Sequence, residues 1–256
     1  MTVGQRIDQR IERPYRVRFD EAGPDGNLRA SGYLRFAQDL AWIHSESAGF
    51  GRDWYGARGL TWLVRAIELD VLAEVAYGSE ISVSTEVIGF RRVWARRRSE
   101  FTPGGEARLV GLAITDWVLL NAQGRPVRPP HEIRDAFGPQ VSEFTPLRLD
   151  EATPVAEATR DGFVVRRSEL DPMGHVNNAA YLDYLDELYL TRAGHAALGV
   201  PRRYRAEFIA SAEAGAHLAS VGWPDEQIWR YRLEDGTGRE LFRARLETDQ
   251  PTWVGG

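Results

Sequence analysis

Residues 171–188 read DPMGHVNNAAYLDYLDEL, and residues 23–40 read GPDGNLRASGYLRFAQDL. At a constant offset of 148 positions, Pro24 falls on Pro172, Gly26 on Gly174, Tyr33 on Tyr181, Leu34 on Leu182 and Phe36 on Tyr184. Self-similarity of this kind marks a duplicated structural unit. Each copy follows a run that reads as extended, YRVRF at 15–19 and FVVRR at 163–167. Each then turns helical. Tyr181, Leu182, Leu185, Leu188 and Tyr189 repeat at helical spacing, as do Leu34, Phe36, Ala37, Leu40 and Ile43. Asn177 or Asn178 would cap the second helix, and Gly194 and Gly49 stand where the two helices would stop.

Beyond each helix the period shortens to that of strands. The first half gives candidate strands at 62–72, 80–90, 92–101 and 108–120, and the turn signal Asn-Ala-Gln-Gly follows at 121–124. The second half repeats the order at 204–212, 217–223, 228–234 and 240–248. Strand, long helix, then several antiparallel strands is an α+β layer arrangement, a curved sheet wrapped around one helix. Residues 138–160 are rich in Pro, Glu and Thr, as a linker would be, which places the domain boundary near residue 150.

The totals narrow the function classes. A chain of 256 residues suits two small domains or one large one. The net charge of −5 argues against a nucleic-acid binder. There is no Cys, hence no disulfide, thiolate nucleophile or Cys-held metal, and no Lys, hence no Schiff-base chemistry. No run of about 18 apolar residues suggests a membrane span. The polar N-terminus lacks the apolar stretch of a secretory signal, so the expected compartment is the cytoplasm. Phosphate-loop, dinucleotide and serine-elbow fingerprints are missing, and one His with scattered carboxylates is no closed metal set. No metal or cofactor is expected.

Five His are candidates for chemistry. His44 sits in a helical stripe, His131 in a Pro-rich loop, His195 after a helix-ending Gly and His217 at a strand start; these four read as structural. His175 differs, because Asp171 lies four residues before it, with Pro172 and Gly174 shaping a turn between them. A carboxylate near an imidazole fixes its tautomer and raises its basicity. The backbone N–H groups of Gly174, His175 and Val176 would point from the helix start towards a developing oxyanion. The spacing alone also fits a turn with an Asp cap and a solvated His.

DPMGHVNNAAYLDYLDE resembles the signature of the hotdog thioesterase superfamily, in which an Asp, a Gly-His-Val and an Asn-Asn lead into the central helix. The whole chain resembles the fatty acyl–acyl carrier protein thioesterases of plants and bacteria, which have two tandem hotdog domains. IHSESAGFGRDWYGARGLTWLVRAIELDV (43–71), RRVWARRRSEF (91–101) and ITDWVLLNAQGRPVRPPHEI (114–133) carry that narrower likeness in order. The resemblance implies a non-catalytic first hotdog domain at 1–150 that shapes the acyl pocket, and a catalytic second one at 151–256. It implies Asp171 and His175 as catalytic, with Glu207 in RRYRAEF as the strand Glu acting as base or nucleophile. Gly174, Val176, Asn177 and Asn178 would supply the oxyanion and substrate contacts. Met173 stands where the family has an Asn, so a neighbouring N–H, Asn177 or Asn178 would take over that polar role, or the arrangement differs. Where the second copy has Asp171 and His175, the first has Gly23 and Asn27.

Trp42, Trp62, Val64 and Ile67 are candidates to line the acyl pocket. Acyl carrier protein, acidic in that family, would dock on a basic patch, for which Arg91, Arg92, Arg96 and Arg98 are candidates. Alternation puts Arg96 and Arg98 on one face and Arg97 on the other. The implied reaction is hydrolysis of a fatty acyl thioester on that carrier. An acyl-coenzyme A thioesterase and a non-catalytic acyl-binding protein of the same fold stay open; the spacing of Asp171 and His175 speaks against a hotdog dehydratase. The tandem halves allow a monomer or a homodimer.

Overall fold

A computed structural model describes residues 8–104, 106–137, 144–193 and 198–248. Its strands are β1 (Arg10–Arg16), β2 (Thr61–Val71), β3 (Glu80–Arg91), β4 (Trp94–Pro103), β5 (Gly111–Leu120), β6 (Thr159–Val164), β7 (Arg202–Phe208), β8 (His217–Asp225), β9 (Ile228–Asp235) and β10 (Glu240–Thr248). They join in one sheet of order β1-β3-β4-β5-β2-β7-β10-β9-β8-β6. The order reads as two five-stranded halves, each with its first strand at the outer edge, meeting where β2 pairs antiparallel with β7. This is the expected pair of hotdog units, joined side by side within one chain. Both edge strands are short and rich in charge or interrupted by Pro14 or Gly162, features that discourage pairing with another chain.

Helices α1 (Ala30–Ser47) and α4 (Ala180–Ala193) lie in the hollows of the two halves. Their predicted stripes are buried: Tyr33, Leu34, Phe36, Ala37 and Leu40 on one, Tyr181, Leu182, Leu185, Leu188 and Tyr189 on the other. Both stripes belong to a single core. The helices meet at Arg35 and Asp183, a pair at 3.0 Å whose members occupy equivalent places in the repeat (183 − 35 = 148). Gly111 on β5 makes room for the Tyr33 ring, since a Cβ there would come within 2.7 Å of it. Two short helices, α2 (Arg52–Gly56) and α3 (His131–Ala136), seal the far end of the first half over a small cluster of Phe50, Tyr55, Leu119, Ile133 and Phe137.

Several boundaries differ from the sequence expectation. The runs at 15–19 and 163–167 end their strands early and fold into tight turns at Phe19–Glu21 and Arg167–Glu169. The cause is local: the carboxylates of Glu21 and Glu169 accept the backbone N–H groups of Arg18 and Arg166 at 2.9 and 2.6 Å. The strand expected at 204–212 stops at Phe208, and the one expected from 108 begins at Gly111. His131 opens α3 rather than lying in a loop. Gly194 and His195 fall outside the described residues.

Candidate active site

The loop before α4 is built by backbone bonds that close on themselves. Asp171 N–H donates to His175 O at 2.8 Å, and Gly174 N–H donates to Asp171 O at 2.9 Å. Gly174 adopts φ 81°, a left-handed value that suits glycine. The Asp171 side chain works on this loop: Oδ1 accepts the N–H groups of Met173 at 2.8 Å and of His175 at 3.3 Å. Asp171 therefore fixes the backbone that carries His175, and no bond from its carboxylate to the imidazole is formed. The His175 ring is half-buried and makes no hydrogen bond to any described residue.

The expected oxyanion donors are mostly engaged. Gly174 N–H serves Asp171, Val176 N–H serves Ala212 O at 2.9 Å, and Asn177 N–H serves Glu169 O at 2.9 Å. Asn177 also caps the helix, its Oδ1 accepting Ala179 N–H at 2.9 Å. Asn178 is different. Neither its backbone N–H nor its side-chain amide has a hydrogen bond among the described residues, and it stands at the positive end of α4. Met173 is exposed.

Glu207 is not brought to this loop. Tyr204, Ala206 and Phe208 on β7 enter the core, so alternation turns Glu207 to the opposite face of the sheet. There its two oxygens hold the linker: Oε1 accepts Arg148 Nη1 at 2.9 Å and Oε2 accepts Leu149 N–H at 2.8 Å. Asp116 does the same for Leu147 N–H at 3.0 Å. Glu207 is thus a buried anchor for the strap that joins the halves, which corrects its assignment as the active-site base.

A carboxylate that sequence reasoning missed stands beside His175 instead. His175 and Glu213 form an isolated antiparallel bridge, with Val176 N–H bonded to Ala212 O next to it. That pattern makes the two residues a non-hydrogen-bonded pair, whose Cα atoms lie about 4.5 Å apart with side chains on one face. Glu213 is exposed, so its carboxylate is open to water. Tyr181 braces the segment, its hydroxyl accepting Ala212 N–H at 3.2 Å.

Next to the loop a narrow cavity runs under α1 into the first half. Its wall includes Leu34, Ala37, Val64, Ile67 and Trp117, and Asn178 lines it from the second half. Of the expected pocket residues, Val64 and Ile67 line this space. Trp42 points outward, 42% exposed, and Trp62 donates from Nε1 to the Tyr55 hydroxyl at 3.0 Å within the end cluster. The equivalent place in the second half is lined by different side chains. Counting eight positions back from the matched residues Val75 and Ala212, Tyr204 takes the place of Ile67, and Asp186 takes that of Gln38 (38 + 148). Tyr204 donates to Asp186 Oδ1 at 2.9 Å and accepts Arg202 Nε at 3.0 Å, filling the equivalent volume. Burial there raises the Asp186 carboxyl to about 7, partly opposed by Arg202 and by the bond from Tyr204.

Of the four arginines expected to form a basic patch, the two on β4 are paired with carboxylates. Arg96 makes a bidentate pair with Asp116 at 2.6 and 2.7 Å, and Arg98 pairs with Glu86 and Glu100. Arg91 donates to Phe144 O at 2.9 Å, and Arg92 sits exposed in the turn between β3 and β4. Arg97 faces inward, as alternation required.

Comparison with known proteins finds matches over nearly the whole chain. A family model for the acyl-ACP thioesterase N-terminal domain matches residues 8–137, and one for the C-terminal domain matches residues 152–226. An acyl-[acyl-carrier-protein] hydrolase FATB2, chloroplastic, of Cuphea viscosissima is 25% identical over 91% of this chain and 61% of its own length. A palmitoyl-acyl carrier protein thioesterase, chloroplastic, of Arabidopsis thaliana is 26% identical over 93% of this chain and 65% of its own. The chain thus spans about three fifths of the length of the curated relatives it matches. Among solved structures, a putative oleoyl thioesterase from Lactobacillus plantarum superposes with a TM-score of 0.82 at 15% identity, covering 94% of this chain and 97% of that one. The 12:0-ACP thioesterase from Umbellularia californica gives 0.80 at 20% identity, with the same coverage. These two share the double-hotdog fold with this chain.

Proposed function

Because this chain belongs to the acyl-ACP thioesterase family, we propose that it hydrolyses fatty acyl thioesters carried on acyl carrier protein and releases the free acid. The observation that carries this reading is the pairing of His175 with Glu213 beside a helix start whose Asn178 lines a cavity. In the proposed reaction Glu213 takes a proton from water, and the hydroxyl adds to the thioester carbonyl carbon. The oxyanion meets the free N–H and amide of Asn178 at the positive end of α4. The carbon–sulfur bond then breaks, and His175 gives a proton to the leaving thiolate. Transfer of the first proton from Glu213 to His175 resets the pair.

In this reading residues 151–256 carry the chemistry and residues 1–150 hold the acyl chain without reacting. Pairing of the halves through β2 and β7 supports a single chain as the working unit. Arg166 and Arg167, exposed on the turn just before the loop and in no ion pair among the described residues, supply charge for an acidic carrier. The test is a purified-protein assay of one acyl series on acyl carrier protein and on coenzyme A. Faster turnover on the protein carrier supports the proposal; equal or faster turnover on coenzyme A overturns the choice of carrier, and no turnover on either overturns the reaction.

A further inference from the structure

The cavity under α1 is not a plain hydrocarbon slot. Arg97, Ser99, Thr115, Gln38 and Asn178 line it together with the apolar residues. Arg97 is deep among protein atoms, yet a fraction of its surface stays accessible, as befits a side chain lining a cavity. Its neighbours in sequence each have carboxylate partners: Arg96 has Asp116, and Arg98 has Glu86 and Glu100. Arg97 has none among the described residues. Its recorded hydrogen bonds both leave from Nη1, to His44 Nδ1 at 2.9 Å and to Thr85 Oγ1 at 3.4 Å. The Phe137 ring lies 5.9 Å away.

His44 cannot balance that charge. Its Nε2 lies 2.9 Å from Asp8 O, which leaves Nδ1 as the acceptor for Arg97 and the ring neutral. Burial and the neighbouring Arg97 push this imidazole down to about 4. An enclosed guanidinium normally comes with a carboxylate or phosphate, because an uncompensated cation out of water is costly. Here Nε and Nη2 are left over, a planar fork suited to a carboxylate. Thr115 and Gln38 also have no side-chain hydrogen bond among the described residues. The space itself is tight, enough for about one water as it stands, so its walls must part to seat a chain. A methyl-ended chain pushed to this depth would lie against a bare cation.

We propose that Arg97 selects the acyl group, and that the chain this cavity accepts ends in a carboxylate seated on the Arg97 guanidinium. The inference rests on the thioesterase reading above and deepens it by naming the substrate class. A site built to pair with a group rejects the analogue lacking that group far more strongly than an apolar pocket rejects a missing methylene. The partners are then fixed: Arg97 takes the distal carboxylate, Thr115 and Ser99 stand beside it, and the thioester end lies at Asn178.

The experiment uses the full chain and matched thioesters, methyl-ended and carboxylate-ended, over a range of chain lengths. At the length that spans Asn178 to Arg97, the carboxylate-ended substrate should show kcat/KM at least about tenfold above its methyl-ended match. Arg97→Met should reverse that order, and Arg97→Lys should retain part of it. A wild-type preference for methyl ends at every length, with the ranking unchanged in Arg97→Met, overturns the proposal and leaves the hydrolase reading standing. Calorimetric binding of free monocarboxylic and dicarboxylic acids gives a readout that needs no turnover. Tighter dicarboxylate binding, lost in Arg97→Met, supports the site even if hydrolysis fails; equal or absent binding of the two acids overturns it. Should Arg97→Met not fold, the wild-type ranking and the Arg97→Lys variant decide the matter.

Discussion

The turn at 22–28 and the turn at 170–176 share their backbone bonds position by position. Gly23 N–H reaches Asn27 O at 2.8 Å, as Asp171 reaches His175. Gly26 N–H reaches Gly23 O at 2.9 Å, as Gly174 reaches Asp171, with φ of 79° and 81°. Leu28 N–H reaches Val75 O as Val176 reaches Ala212, and bridges join Asn27 to Ala76 and His175 to Glu213. Tyr77 N–H also reaches Gly26 O at 2.8 Å in the first turn, and the chemical difference lies in the side chains. Gly23, Asn27 and Ala76 stand where Asp171, His175 and Glu213 stand. The first turn keeps a carboxylate, but two places on, where Asp25 Oδ1 accepts Asn27 N–H at 3.0 Å; Met173 holds the matching place in the second. Backbone architecture is therefore common to both turns, and the acid–base groups belong to one.

The sharpest way to break the comparison is to mutate matched positions. His175→Ala should lower kcat by about a hundredfold or more, while Asn27→Ala should leave it within about twofold; comparable losses in steady-state assays would remove the distinction between the halves. Glu213→Gln should also cost about a hundredfold. Glu207→Gln, on the other face of the sheet, should cost less than about threefold in rate but about 1–3 kcal/mol of stability, because Arg148 and the Leu149 N–H lose a charged acceptor. Denaturant melts beside rate measurements check both, and a reversed pattern would restore Glu207 to the active site. Asp171→Ala leaves two loop N–H groups without an acceptor and should reduce both stability, by about 1–2 kcal/mol, and turnover. Asp25→Ala should reduce stability alone, by about 1 kcal/mol.

A pH dependence separates the filled hollow from the open one. Asp186 is raised to about 7 by burial against an ordinary value of 3.8, so the folded protein holds a proton that the unfolded chain releases across that window. Its contribution to stability is full below about pH 4 and is lost as pH rises to about 7. His44, depressed to about 4, acts in the opposite direction between about 4 and 6.5. Wild type minus Asp186→Asn isolates the first term, since His44 is common to both. The difference in unfolding free energy should fall with rising pH; a flat or rising difference refutes a protonated Asp186.

The repeat was legible because its markers are local: the positive-φ glycine and the tyrosine–leucine pair of each helix recur at one offset. The helices and most strands followed from apolar period. The carboxylates were harder. The burial of Tyr204 and Phe208 on alternate positions already turned Glu207 away from the helix side, and the family likeness outweighed that signal. Glu213 comes to His175 through a pairing between residues 38 apart (213 − 175), which no spacing rule covers. The tight turns at 19–21 and 167–169 depend on a side chain reaching back to the main chain, which alternation does not report. That Arg96 and Arg98 would be paired and Arg97 left without a carboxylate depends on which strands lie alongside β4.

The seam between β2 and β7 has a consequence for how such a protein can change. In a dimer of identical subunits, every mutation is written into both copies of the site at once. Here the two halves are encoded separately and held together by peptide bonds as well as by strand pairing, so dilution cannot part them. One half places Tyr204 and Asp186 where the other has Ile67 and Gln38, and carries His175 and Glu213 where the other has Asn27 and Ala76. Covalent fusion lets a symmetric scaffold divide its labour without risk of assembling two copies of the same specialised half.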